Sequence, residues 1–303
     1  MRRINILLDC DPGHDDAIAL MVAGAFKCIN LVGISVVSGN QTVDKTFKNA
    51  FNVTHYLDID VPICKGSEKP LKRDKLNCSE IHGESGLDGF DFPPYEYTSD
   101  QRDIEDFIFD KCKENCPCVV VITGPMTNIA KALLKYPSLK DYISQIVVMG
   151  GAMREGNISK YAEFNILADA EAADIIIRSQ IPMRMVTLDV TRQVMVLPNI
   201  VERMDSLNTR GSKLFVALMR FFNQSQKDFF GLDGGPLHDP TTIVSLLNKD
   251  VITFEKMNVQ VDVSNTDHYG QTVCTKNGDI EVSTSINKEL FWDIIEKSLN
   301  YYK

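Results

Sequence analysis

The chain has no excess of basic residues: 32 lysines and arginines stand against 41 aspartates and glutamates over 303 residues, a formal net charge of −9. Nucleic-acid binding depends on neutralising phosphates with Lys and Arg, so nucleic acid is not expected as a ligand. Long hydrophobic runs are also missing, and nothing approaches the ~20 apolar residues of a membrane-spanning helix. The amino-terminal run after Met1-Arg2-Arg3 ends at Asp9, short of the roughly 7–15 apolar residues of a signal-peptide core. The expectation is a cytoplasmic protein with no membrane partner. Paired metal-binding cysteines are absent too. Of the 8 cysteines, Cys112, Cys116 and Cys118 form C-x3-C-x-C with no histidine nearby and no second pair, which falls short of four zinc ligands. Cys10, Cys28, Cys64 and Cys274 sit in or beside apolar runs, where a thiol behaves as a small hydrophobe, and Cys78 stands alone in a polar stretch. In a reducing compartment these are free thiols. There is no internal repeat, low-complexity tract or linker. Length alone would favour two domains, but one domain over residues 1–303 accounts for the pattern better.

What is present is alternation. Short β-branched runs at Ile4–Asp9, Leu31–Val37, Val61–Cys64, Cys118–Thr123, Ile146–Met149 and Met183–Asp189 are separated by amphipathic segments at Asp15–Phe26, Thr42–Leu57 and Asn128–Leu134. This predicts an α/β fold, an open and mostly parallel sheet with helices on both faces. After Thr191 come two further helical segments, Ile200–Leu207 and Leu214–Phe222, and a glycine-rich loop Gly231–Pro236. Strand-like runs follow at Lys256–Val263, Thr272–Thr275 and Asp279–Ser285, with a terminal helix from Lys288.

Open parallel sheets bind ligands outside the carboxyl ends of their strands. Those ends carry Asp9-Cys10-Asp11-Pro12-Gly13-His14-Asp15-Asp16, Ser38-Gly39-Asn40, Thr123-Gly124-Pro125, Gly150-Gly151 and Asp189. The expected active site is therefore that rim. Four aspartates between positions 9 and 16 repel one another unless something offsets their charge. Asp15 and Asp16 fall on a first helical turn, where the dipole favours anions, so a solvated capping turn is one reading. A divalent cation is the other, because the Pro-Gly reversal lets Asp11 and Asp16 face one pocket, and all-oxygen ligands select Ca²⁺ or Mg²⁺. Asp239 is the best distant ligand, and the Thr123 carbonyl another. His238 reads either as part of a helix cap or as a general acid or leaving-group contact.

The same segments, in order, resemble the inosine–uridine-preferring nucleoside hydrolases. The resemblance rests on Asp9 to Ala17, Gly39-Asn40-Gln41-Thr42, His82 to Gly89, Thr123 to Ala130, Met149 to Ala152, Asn157 with Ala162 to Asn165, and Gly234 to Asp239. His82, Gln226 and Tyr269 to Cys274 draw it nearest to the pyrimidine-specific ribonucleoside hydrolases. The resemblance implies one Ca²⁺ per subunit held by Asp11, Asp16, Thr123 and Asp239, with Asp11 as the base that deprotonates the attacking water. It implies that Asp15, Asn40 and Asn165 grip the 2′- and 3′-hydroxyls and Asn157 and Glu163 the 5′-hydroxyl. His82, Phe164, Gln226 and His238 would form the base-side wall. Uridine and cytidine are the expected substrates, with inosine or purine preference as the alternative and a homotetramer as the expected assembly.

Two departures stand out. Phe230 occupies a position where the branch commonly has tyrosine, removing a hydroxyl from the wall, and Ile158-Ser159-Lys160-Tyr161 replaces a Thr-Pro-containing stretch. Lys160 and Tyr161 either alter loop closure or are simply exposed. Two rivals remain at this level. Asp9-x-Asp11 also resembles the haloacid-dehalogenase phosphatase motif, although Pro12-Gly13 and the acidic rim suit phosphate poorly. The other rival is a calcium-dependent nucleoside binder without catalysis.

Overall fold

Ile6, Leu7 and Leu8 are consecutive residues with no solvent exposure, so the strand that carries them is covered on both faces. In the computed structural model, which describes residues 3–76 and 78–303, this strand is β1 (Ile4–Cys10). Met1 and Arg2 of the amino-terminal segment, and Asn77, lie outside the described residues. The chain continues through α1 (His14–Ala25), β2 (Ile29–Val36), α2 (Val43–Tyr56), β3 (Ile63–Lys65), α3 (Ser79–His82), α4 (Ile104–Glu114), β4 (Cys118–Ile122) and α5 (Thr127–Lys135). Next come β5 (Ile143–Met149), α6 (Phe164–Ala168), α7 (Ala170–Ile177), β6 (Met183–Val186), α8 (Leu188–Thr191), α9 (Pro198–Asp205) and α10 (Arg210–Phe230). The last elements are α11 (Pro240–Leu247), β7 (Ile252–Val261), β8 (Thr272–Lys276), β9 (Ile280–Ile286) and α12 (Lys288–Tyr301).

The strands form one nine-stranded sheet in the order β3-β2-β1-β4-β5-β6-β9-β7-β8. From β3 through β6 to β9 each neighbouring pair is parallel, and β7 runs antiparallel to both β9 and β8. Side-chain alternation divides the core. Ile6 and Leu8 with Val119 and Val121 join the face covered by α1, α2, α10, α11 and α12. Leu7 with Val120 and Ile122 joins the opposite face, which is packed under α4, α5 and α7. Strand order reverses between β1 and β4: successive crossovers step outward through β2 and β3 on one side and through β5 and β6 on the other. Such a reversal opens a crevice at the carboxyl ends of the two strands, and it sets Asp11 beside Thr123.

Several boundaries differ from the sequence reading. α4 was not expected; Ile104, Phe107, Ile108 and Cys112 recur at helical spacing and are all buried. β6 ends at Val186, and Asp189 lies on the short helix α8 rather than at a strand end. α10 is far longer than Leu214–Phe222: a Thr209–Ser212 capping box starts it, and Gly231 stops it in the left-handed region at φ 67. β7 starts four residues earlier than expected, at Ile252, and β9 inserts between β6 and β7.

Candidate active site

Asp11 leaves the end of β1, and Pro12-Gly13 turns the chain straight into α1. Gly13 is required there by space, since a Cβ would lie 2.7 Å from both Asn40 Nδ2 and His82 Nδ1. The Gly13 N–H donates to Asp16 Oδ2 at 3.1 Å, which holds Asp16 back over the helix start. Asp16 Oδ1 accepts from Thr123 Oγ1 at 2.7 Å, and Oδ2 also accepts from Asn40 Nδ2 at 3.1 Å. Asp239 opens α11 ahead of Pro240 and brings its carboxylate to the same place. Ligand oxygens of Asp15, Asp16 and Asp239 all lie within 4.8 Å of one another, and all three residues are buried.

Asp11 lies beside this trio. Its Oδ2 accepts from the Asn40 N–H at 2.7 Å, while its Oδ1 is buried with no hydrogen-bond partner. Burial, then the neighbouring carboxylates, push Asp11 and Asp239 well above the usual range, and Asp15 to about 7. Four crowded carboxylates with an unpartnered buried oxygen make an all-oxygen donor set that fits a hard divalent cation.

Above this floor is a cavity of about 600 Å³, within the range of small-ligand sites. Asp15, Asn40, Thr123, Asn165 and Asp239 line it, whereas Asp11 and Asp16 are fully buried and do not. Asn165 Nδ2 donates to the carbonyls of Thr123, at 2.8 Å, and Met149, at 3.1 Å, so its amide oxygen is the end left for the cavity. The Thr123 carbonyl, read as a possible cation ligand, accepts this side-chain bond. Glu163 caps α6, accepting from Asn165 N, Ile166 N and Gly151 N, and burial raises its pKa to about 7. Asn157 Oδ1 accepts from Phe164 N at 2.9 Å.

His82, Phe164, Gln226, Phe230 and His238 also line the cavity. His82 Nδ1 faces His14 Nδ1 at 3.1 Å, and His14 Nε2 lies 2.8 Å from the Asp88 carbonyl. That carbonyl can only accept, so His14 carries its proton on Nε2. His14 stacks between His82 and the rings of Phe221 and Phe222. His238 Nδ1 is 2.7 Å from Thr191 Oγ1, and burial lowers its pKa to about 3.

Thus the predicted site residues, drawn from positions 11 to 239, meet at one crevice. Asp9 and Asp189 do not. Asp9 accepts from Ser35 Oγ at 2.5 Å and Asn128 Nδ2 at 2.8 Å inside the sheet, and Asp189 accepts from the Met153 N–H. An aspartate so enclosed cannot serve as the nucleophile that the phosphatase reading requires. Sequence reasoning missed Arg192, Ile81, Phe222 and Cys78 in the lining, and His14 behind His82. His14 carried a usable signal, since it lies inside the acidic turn. Cys78 did not; burial pushes its thiol up to about 12, which leaves it a poor nucleophile. The eight cysteines are free thiols, with Cys112 and Cys118 buried and Cys116 exposed. No helix among the described residues is long and apolar enough to cross a membrane.

Comparison with known proteins agrees with this geometry. The family model described as inosine-uridine preferring nucleoside hydrolase matches residues 6–293. The pyrimidine-specific ribonucleoside hydrolase RihB of Shigella flexneri is 39% identical over 309 aligned positions, spanning 100% of this chain and 99% of its own. Among solved structures, the purine-preferring ribonucleoside hydrolase of Gardnerella vaginalis superimposes with TM-score 0.91 and 30% identity, covering 98% of each chain. An inosine-uridine preferring nucleoside hydrolase of Bacillus anthracis shares the fold at TM-score 0.81 and 19% identity, over 98% of this chain and 99% of that one. With the motif blocks, the acidic floor and the whole-length match in agreement, the chain belongs to the inosine–uridine-preferring nucleoside hydrolases and is a ribonucleoside hydrolase.

Proposed function

We propose that the enzyme is a Ca²⁺-dependent hydrolase of pyrimidine ribonucleosides, releasing ribose and free base from uridine and cytidine. The carrying observation is the acidic floor: Asp15, Asp16 and Asp239 within 4.8 Å, with the unpartnered Oδ1 of Asp11 beside them, under a cavity of nucleoside size. Asp11, Asp16, Asp239 and the Thr123 carbonyl would hold the cation, which supplies a lowered pKa for water and an anchor for the ribose diol. Asp11 accepts the proton of the attacking water. Asp15, Asn40 and the free amide oxygen of Asn165 receive the 2′- and 3′-hydroxyls, and Asn157 and Glu163 the 5′-hydroxyl. C1′–N cleavage develops positive charge on the sugar, and carboxylate and amide oxygens already fixed around the ring stabilise it without reorganising.

On the base side, His14 orients His82. His82 Nδ1 accepts from the His14 backbone N–H at 3.3 Å and lies 3.1 Å from His14 Nδ1, which fixes the His82 ring. His82 lines the cavity beside Phe164 and Phe230, which supply apolar surface, and Gln226, which supplies an amide. His238 contacts the leaving base. Phe230 brings no hydroxyl, and His238, lowered to about 3, is neutral near pH 7, so proton delivery to the base rests on solvent, with His238 as a hydrogen-bond contact.

Residues 1–303 are read as one nucleoside hydrolase domain, supported by the single continuous sheet. A homotetrameric, cytoplasmic enzyme of nucleoside salvage completes the reading; the free thiols support the reducing location. The pyrimidine preference is supported by the RihB relative, and the Gardnerella vaginalis enzyme supports the purine alternative. A panel of uridine, cytidine, inosine and adenosine separates them. We expect kcat/KM for uridine to exceed that for inosine by about tenfold, the size of discrimination that a few apolar and hydrogen-bond contacts supply. An inosine value equal to or above uridine would overturn the pyrimidine reading, and tight uridine binding with no ribose released would reduce the protein to a binder.

A further inference from the structure

The loop from Met153 to Ala162, which contains the departure at Ile158-Ser159-Lys160-Tyr161, is tied at both ends of one short helix. Leu188 N–H, at the start of α8, donates to the Gly151 carbonyl at 3.0 Å, and the Met153 N–H donates to Asp189 Oδ2 at 2.7 Å. At the other end, Arg192 donates from Nη1 to the Glu155 carbonyl at 2.9 Å and from Nη2 to the Gly156 carbonyl at 2.6 Å. A planar guanidinium bridging two consecutive carbonyls fixes both their spacing and their direction. Arg192 is also the only lysine or arginine among the described residues lining the cavity. Its neighbour Thr191 holds His238.

The loop itself is tightly folded. Gly156 N–H donates to the Lys160 carbonyl and Asn157 N–H to the Ala162 carbonyl, and a Cβ on Gly156 would lie 2.1 Å from the Ala162 oxygen. On its outer side Tyr161 stacks on His268, with centroids 4.1 Å apart. Lys160 is exposed and Tyr161 half-buried, so the replaced stretch is an anchor at Tyr161 and solvent-facing at Lys160. Gly156, Asn157 and Ile158 all line the cavity although Asn157 and Ile158 are largely solvent-exposed. Little apolar burial therefore holds them over the site, and the polar ties from α8 take that role.

We propose that Arg192, assisted by Asp189, is a positioning residue that latches this loop shut over the cavity and thereby sets Asn157 for the 5′-hydroxyl of the substrate. The latch rests on the reading above that Asn157 and Glu163 meet that hydroxyl. It gives this exposed arginine a function in substrate selection, although it makes no contact with the reacting atoms.

The test compares wild type, Arg192→Ala and Arg192→Lys on uridine and 5′-deoxyuridine, with trypsin cleavage after Arg154 or Lys160 as a readout independent of activity. Arg192→Ala is expected to lower kcat/KM for uridine about tenfold, chiefly through KM, while 5′-deoxyuridine changes little, so that the ratio collapses. Cleavage inside the loop should accelerate about tenfold. Arg192→Lys, with one point donor instead of a fork, should fall between them. A uridine to 5′-deoxyuridine ratio equal to that of wild type in Arg192→Ala would overturn the proposal. If wild type itself ignores the 5′-hydroxyl, the Asn157 and Glu163 assignment fails instead. Trypsin then decides the latch alone: lost protection upholds it and unchanged protection overturns it.

Discussion

Asp11→Asn is expected to lower kcat for uridine by about 10³-fold with little change in KM, because a positioned general base contributes about 10²–10⁴ in rate. The substitution is nearly isosteric, which matters in this location. Gly39 and Gly124 are packed so closely that Cβ atoms on them would meet Asp11 oxygens at 2.1 and 2.5 Å. Asparagine keeps that shape and still offers an oxygen to the Asn40 N–H, but it cannot take a proton from water. Its amide would replace the one Asp11 oxygen that has no partner, Oδ1, or the one that accepts from Asn40, Oδ2. Asp9→Asn is the matched comparison. Asp9 is equally buried, but its carboxylate is enclosed by Ser35 and Asn128, so its loss should reduce stability more than kcat. Steady-state rates by a reducing-sugar assay, with circular dichroism to check folding, separate the two aspartates. Near-wild-type turnover by Asp11→Asn would remove it as the base.

Asp9 and Asp11 also mark what a linear reading can and cannot distinguish. Both lie at the end of the same strand run, two positions apart, and both read as rim carboxylates. Strand alternation turns successive side chains to opposite faces, so residues two apart share a face. They part here because Asp11 has left the strand at Pro12-Gly13, whereas Asp9 is still paired to Ser35 and Ile122 within the sheet. Asp16 was legible because its position depends on one turn of helix. Asp239 already stood out as a distant ligand before the resemblance was drawn, although more than 220 residues of chain separate it from Asp15. Arg192 was not legible at all. Its role depends on β6 stopping at Val186 and on a one-turn helix that points the guanidinium at a loop 36 residues earlier. The parallel half of the sheet, with its runs of buried Val and Ile, was visible from composition. α4 was hidden among polar residues because only four of its eleven positions are buried.

Removing the divalent cation should abolish uridine hydrolysis, by at least about 10³-fold, and should also make stability fall steeply with pH. The second effect follows from the floor. Without a cation, burial and mutual repulsion raise Asp11, Asp15, Asp16 and Asp239 above the ordinary 3.8, Asp15 to about 7. The folded chain then binds more protons than the unfolded chain above about pH 4, so stability declines as pH rises through the folded-state values. Buried histidines act with the opposite sign: His14, His82 and His238 are lowered from 6.5, so they cost stability as pH falls below that value. Between pH 7 and pH 8.5 the histidines are mostly neutral in both states, and the slope comes from the floor carboxylates together with Asp9, Glu163 and the raised buried thiols. Bound Ca²⁺ lets the floor carboxylates stay ionised in the folded state and so reduces the slope. Metal-stripped enzyme should therefore melt several degrees lower at pH 8.5 than at pH 7, on a scale of about 2–4 °C per kcal/mol for a chain somewhat smaller than this one. Added Ca²⁺ should raise Tm at both pH values, and more at pH 8.5. Thermal melts with and without chelator, at fixed ionic strength, measure this directly. A Tm indifferent to chelator and Ca²⁺ at both pH values would mean that the acidic floor holds protons rather than a cation.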